Sequence, residues 1–177
     1  WWRIRVGSGN RMSKWSEPQR FGIGLLGEMR GNYIGAAEGE SSLLRRQFTI
    51  EKHNQRAILY VNSLGYHEVW LNGERVGNDV LNPAVSQLDR HSLIRAYDIS
   101  EQLREGENEW VIWTSAGWSR KHFGAEYNGG VVRAELDLDG VPFVVTDTSW
   151  KGCKSGYSDI GSWIHDDYTG ERIDARL

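Results

Sequence analysis

The feature that most constrains this chain is alternation at a period of two, repeated along its length and broken by tight turns. Tyr66, Glu68 and Trp70 alternate with His67, Val69 and Leu71, which puts the two sets on opposite faces of one strand. Asn72-Gly73 follows at once. Both residues accept the positive φ of a two-residue hairpin, so 74–76 is the return strand. Asp139-Gly140 makes the same turn between 131–138 and 141–147. Leu44, Arg46, Phe48 and Ile50 alternate with Arg45, Gln47 and Thr49, while Ala57-Ile58-Leu59-Tyr60-Val61 is the short apolar run of a buried strand. Further strands are expected at 93–99 and 109–114. Helix is confined to one turn at 100–104, with Ser100 as N-cap and Gly106 as the stop. About eight short strands with almost no helix predict an all-β sandwich or jelly roll.

Composition removes several partners. A net charge of −3 supplies no concentrated positive surface for nucleic acid or an anionic membrane. No apolar stretch approaches the ~18 residues of a membrane span. Cys153 is the single cysteine, so no internal disulfide holds the fold, and it is expected as a small strand residue near Trp150. The nine tryptophans suit β-cores and also surfaces that stack on sugar rings; Trp70 and Trp110 are expected in the core, Trp113 on either face. His53, His67, His91, His122 and His165 show no ligand-type spacing, which argues against zinc. Asp166-Asp167 with Glu171 and Asp174 are acids of the kind glycoside hydrolysis uses. Adjacent residues of an extended chain point to opposite sides, however, and no catalytic residue is expected in this chain.

The first 23 residues differ from the rest. Trp2, Ile4 and Val6 alternate with Arg3 and Arg5, and a turn at 7–10 leads to a second short strand ending near Phe21. Such a hairpin has too little apolar surface to stand alone. It is expected either to close a preceding, truncated domain or to fold onto the main sandwich, with 24–42 as a connection. Position 1 is Trp rather than Met, so the natural start is expected to lie upstream, and neither cytoplasm nor periplasm can be read.

Two segments resemble known families. Trp2-Arg3-Ile4-Arg5-Val6, with Ser13-Lys14-Trp15-Ser16-Glu17-Pro18 and Phe21, resembles the last two strands of a fibronectin type III-like domain. From residue 43 to 177 the chain resembles the N-terminal accessory domain of bacterial α-L-rhamnosidases of glycoside hydrolase family 78. The motifs are 64–77, LGYHEVWLNGERVG; Tyr97-Asp98-Ile99-Ser100 with Leu103; Gly106-Glu107-Asn108; Gly117-Trp118; and Gly170-Glu171-Arg172-Ile173-Asp174-Ala175-Arg176. Parts of this pattern also occur in β-galactosidase-like enzymes. The resemblance implies a galactose-binding-like jelly roll whose parent enzyme keeps its catalytic acids in a separate helical barrel further along the chain. The expected role is non-catalytic recognition of an L-rhamnose-containing glycan and packing against the rest of the parent; the alternative is a scaffold that binds no sugar.

The resemblance also directs attention to two loops. Residues 118–130 gather Trp118, Arg120, His122, Tyr127 and Asn128; aromatic rings stack on a sugar's C–H face while the polar groups bond its hydroxyls. The same residue types suit a contact surface with the parent's barrel. Some relatives hold vicinal hydroxyls through calcium, and the matching turn here is Asn78-Asp79, with Asn82 and 127–130 as further contributors. Asx residues also cap turns routinely. Two departures from the family pattern lie on these loops: Leu81-Asn82-Pro83 runs into Ala84-Val85-Ser86, and Ser119 follows Trp118.

Overall fold

In the computed structural model, the structure describes residues 1–22, 24–25, 27–35, 41–52, 56–117, 119, 130–160 and 170–176. The elements are strands: β1 (Gly7–Ser8), β2 (Arg11–Met12), β3 (Ser41–Ile50), β4 (Ala57–Ser63), β5 (Tyr66–Leu71), β6 (Glu74–Arg75), β7 (Ile94–Asp98), β8 (Gly106–Ser115), β9 (Val132–Leu138), β10 (Val141–Val145), β11 (Lys151–Lys154), β12 (Tyr157–Ile160) and β13 (Gly170–Ile173). One sheet runs β10-β9-β4-β7 and the other β11-β3-β8-β5-β6, with every pair antiparallel. The chain is thus the expected all-β sandwich. Strands β12 and β13 were not foreseen; β11, Lys-Gly-Cys-Lys, was anticipated only as a strand position for Cys153, since it is exposed throughout and carries no apolar alternation. Cys153 sits on it, exposed and free.

The alternation seen in the sequence becomes the two faces of each sheet. Val69 and Leu71 on β5 and Trp110 and Ile112 on β8 face Leu59 and Val61 on β4 and Val132, Ala134 and Leu136 on β9, all at most 2% exposed. Removing this much apolar surface from water at ~25 cal/mol per Å² is the dominant favourable term for such a domain. Trp110 meets Trp150 edge to face at 4.8 Å, a favoured aromatic geometry. Trp70 is a correction. It lies with Tyr66 and Glu68 on the outer, half-buried face of β5, because period two separates it from Val69 and Leu71. Trp113 is also on the outer face, where its Nε1 donates to Ser41 Oγ at 2.6 Å and its ring tilts onto Tyr157.

Asn72-Gly73 forms the β5–β6 hairpin with φ of 54° and 82°, and Asp139-Gly140 the β9–β10 hairpin with 51° and 81°. The first turn is tied down by a buried amide network. Asn72 Oδ1 accepts from the Glu109 N–H, and its Nδ2 donates to Asn108 Oδ1 and to the Gln102 carbonyl. Asn108, 2% exposed, also accepts from the Arg104 N–H and donates to the carbonyls of Arg104 and Gly106. The turn at 100–104 is present, but its cap differs: the Asp98 carboxylate accepts the Ser100 N–H, while Ser100 Oγ accepts from the Ala57 N–H. The local pattern could not reveal that β4 lay close enough to claim the hydroxyl.

The N-terminal hairpin pairs Gly7 with Met12 and Ser8 with Arg11, and extends to a bridge between Trp2 and Gln19. The two arms advance unequally. Ser13 and Ser16 absorb the mismatch by accepting the N–H groups of Val6 and Ile4 on their hydroxyls. Arg3 and Arg5 stack on Trp15 and Arg20 on Trp1, while Trp2, Ile4 and Val6 stay exposed. Residues 27–34 then run as a strap beside β9. The Asn32 N–H bonds the Thr146 carbonyl, and Ile34 exchanges both bonds with Val132. Gly31 permits the approach, because a Cβ there would lie 2.6 Å from the Ala134 carbonyl oxygen.

Asn108→Ala is expected to lower stability by ~2–4 kcal/mol, since it strands several buried backbone and amide groups at once. Asn78→Ala, on an exposed turn, should stay within ~0.5 kcal/mol. Urea unfolding followed by tryptophan fluorescence would measure both.

Candidate functional site

The ends of β4 and β8 and the starts of β5, β7 and β9 meet at one end of the sandwich, opposite the Asn72–Asn108 network. Close backbone contact holds them there. A Cβ on Gly65 would lie 1.9 Å from the Ser115 carbonyl oxygen, and one on Gly130 2.6 Å from the Ser115 nitrogen. Leu64 N–H donates to the Val131 carbonyl, and Thr114 Oγ1 donates to the Gly130 carbonyl. Gly117 takes a φ of 46° against the Tyr66 ring, and Ser119, fully buried, donates its hydroxyl to the Ala116 carbonyl at 2.5 Å. The base of the loop between β8 and β9 is therefore fixed on both sides. Trp118, Arg120, His122, Tyr127 and Asn128 lie outside the described residues.

Beside this base, a polar cluster supports the Asn78-Asp79 turn. His67, 4% exposed, lies between Ser63 Oγ at 2.7 Å from its Nδ1 and Tyr97 Oη at 3.4 Å from its Nε2. Asn82 Nδ2 donates to Tyr97 Oη at 2.8 Å and lies 3.1 Å from His67 Nε2, and the His67 N–H returns to the Asn82 carbonyl. Arg95 crosses the Tyr97 ring and grips Asp79 with Nε at 3.0 Å and Nη2 at 2.6 and 2.8 Å from the carboxylate oxygens. Arg75 donates to the Asp79 carbonyl at 2.6 Å and pairs with Glu68. Leu81, at φ 53° and 67% exposed, precedes a cis Asn82–Pro83 bond. A non-glycine residue held in the left-handed region and facing solvent is more common at binding surfaces than in plain connections.

Burial is the main cause that pushes the His67 imidazole down to about 4, with Asp79 opposing and Arg95 assisting. His67 is thus neutral at physiological pH and serves as a hydrogen-bonding hub. Sequence reasoning set it aside for lack of a metal-type partner; its place on the inward face of β5 was the available signal. The Tyr97 phenol is raised, first by burial and then by the Asp79 charge.

Calcium takes six to eight oxygen ligands, usually including several carboxylates. The described residues do not fit that demand: Asp79 is the one acid of the turn, both its carboxylate oxygens are held by Arg95, and Asn82 is turned inward onto Tyr97. No group of three acids, histidines or cysteines suited to a metal occurs among the described residues. The bidentate Arg95 pair organises the turn.

Residues 52–177 match the alpha-L-rhamnosidase N-terminal domain family. The chain belongs to that family. An α-L-rhamnosidase of Formosa agariphila is 34% identical over 67% of this chain, which spans 15% of that relative's length. The α-L-rhamnosidase structure from Streptomyces avermitilis, solved in complex with L-rhamnose, is 26% identical with a TM-score of 0.66, covering 77% of this chain and 14% of its own. The structure of the Aspergillus terreus enzyme covers 95% of this chain and 21% of its own at a TM-score of 0.77; at 23% identity it speaks for the fold. The rhamnosidase motifs of the sequence thus gain a structural meaning. Leu71-Asn72-Gly73 and Gly106-Glu107-Asn108 are the two halves of one amide network, and His67 and Tyr97 are neighbours in the cluster at the other end.

Because the His67 pKa in the fold lies below the ~6.5 of an unfolded chain, the unfolded state takes up the proton first as pH falls. Its contribution is complete above about pH 6.5 and is lost toward pH 4, an effect of ~3 kcal/mol at most. Urea midpoints of the native chain and of His67→Gln, compared at pH 7 and 4.5, should differ in slope. Equal slopes would remove His67 from this role.

Proposed function

We propose that this chain is a non-catalytic accessory module of a larger α-L-rhamnosidase, which recognises an L-rhamnose-containing glycan and packs against the rest of its parent enzyme. Membership of the rhamnosidase N-terminal family carries the reading. Its support within the chain is the rigid end of the sandwich, where the base of the 118–130 loop meets the turn held by Arg95. Binding groups concentrate on loops fixed by a rigid scaffold, and Trp118, Arg120, His122, Tyr127 and Asn128 are the residues assigned to the sugar. The described residues form strands and turns, whereas the resemblance puts the parent's catalytic acids in a helical barrel. The Streptomyces avermitilis relative, solved with L-rhamnose, favours the same ligand class.

A scaffold that binds no sugar is the second reading. It is favoured by the inward use of Asn82 and by the Ala84-Val85-Ser86 sequence after Pro83. Titrating the chain with L-rhamnose, with and without calcium, separates the two. Recognition predicts saturable heat or tryptophan fluorescence in the millimolar range, where ~4 kcal/mol of binding energy suffices, weakened by Tyr127→Ala and unchanged by calcium. No saturable signal would establish the scaffold, and calcium-dependent binding would show that loop residues complete an ion site. Incubated with an aryl α-L-rhamnoside, the chain should release no phenol above the buffer blank.

A further inference from the structure

The outer face of the β10-β9-β4-β7 sheet carries a second buried polar feature, independent of the rhamnose reading. Glu135 and Asp137 alternate with Leu136 on β9, so both point outward, yet they are only 2% and 7% exposed. They floor a cleft of roughly 900 Å³ between the sheet and the segment leading to the strap, whose lining includes Phe21, Glu28 and Arg30 on one side and Ile58 and Tyr60 on the other. The strap is bonded to the pair at one point: the Arg30 N–H donates to Glu135 Oε2 at 2.7 Å. Asp137 Oδ1 is buried and, among the described residues, has no hydrogen-bond partner. Little of either carboxyl is reachable from the cleft, which suits a closure better than a ligand site.

Burial and a second carboxyl on the same face of β9 both work against ionising Asp137. Burial, then the charge of Glu135 and a hydrogen bond to it, raise the Asp137 carboxyl to about 6, with Arg30 opposing. Tyr60 is raised too, by burial and then by Asp137. The charged groups facing the pair are Glu28 and Arg30 from the strap side, Arg56 and Tyr60 from β4 and its approach, and Asp139 from the β9–β10 turn. Asp139 is already engaged, accepting the Arg56 N–H. Arg30 is the cation drawn to the ionised pair, but its attraction ranks below burial and the Glu135 charge.

We propose that Glu135 and Asp137 form a proton-dependent clasp, closed under the strap while Asp137 is protonated and released around residues 27–31 when Asp137 ionises beside Glu135, so that pH sets how firmly the N-terminal hairpin is held to the sandwich. Release is local. From Asn32 onward the strap is bonded to Thr146 and Val132, backbone and hydroxyl contacts that do not titrate in this range.

Backbone amide exchange by NMR tests this, with each rate divided by its intrinsic value at the same pH. If Asp137 titrates near the ordinary carboxylate value once the strap opens, the opening constant should rise roughly tenfold between pH 5 and 7.5. Arg30 protection is therefore expected to fall about tenfold while Ile34 protection holds. Asp137→Asn, which removes the titrating group and keeps the shape, should make Arg30 protection independent of pH in this range, while Glu135→Gln, which removes the neighbouring charge but leaves Asp137 buried, should shrink the change. The clasp is overturned if native Arg30 protection does not change, if Ile34 falls with it, or if both variants keep the native pH profile. A variant that fails to fold, seen as lost strand circular dichroism, leaves the other and the native profile to decide.

Discussion

The rest of the structure depends on the register of β8. Its ten residues pair with all ten of β3 on one side and with six of β5 on the other, and its inward set is Asn108, Trp110, Ile112 and Thr114. A slip by one residue would turn Glu107 and Glu109 toward the core and Trp110 toward solvent. Both ends of the strand are locked by groups with no other way to be satisfied when buried. Asn108 closes the Asn72 hairpin at one end, and Ser115 is pressed against Gly65 and Gly130 at the other.

This arrangement divides the molecule by polarity as well as by position. The Asn72–Asn108 end is an amide network in which donors and acceptors match, so it fixes shape and offers little to a ligand. The opposite end holds charged and titratable groups in a graded order: His67 neutral and buried, Tyr97 buried beside it, and Arg95 with Asp79 nearer the surface. Loops anchored on such a base lose less conformational entropy on binding than free ones. The strap on the outer sheet face adds a third polar feature, where the Arg30 amide donates to the buried Glu135 carboxyl.

How much was legible varied with the range of the interaction. Strands β4, β5, β8 and β9 announce themselves because side-chain period and turn chemistry are local, and Asn-Gly and Asp-Gly can adopt the required φ without help from elsewhere. The extent of strand β11 is not legible because Lys-Gly-Cys-Lys has no buried face; it exists through its ladder to β3. Trp70 was misassigned to the core by residue type when its own alternation already put it outside. Nothing local to Asn78-Asp79 indicates that Arg95, sixteen residues later, would take both carboxylate oxygens of Asp79.

The all-β class, the two hairpins and the kinship with rhamnosidase N-terminal domains could be read from the chain alone, since each rests on nearest-neighbour sterics or on motifs whose order is written in it. Folding in three dimensions alone makes those motifs one network, makes His67 a buried neutral hub, and buries Glu135 and Asp137 beneath residues more than a hundred positions away. Burial and long-range pairing set the charge state of a polar group, and neither is a property of its sequence neighbours.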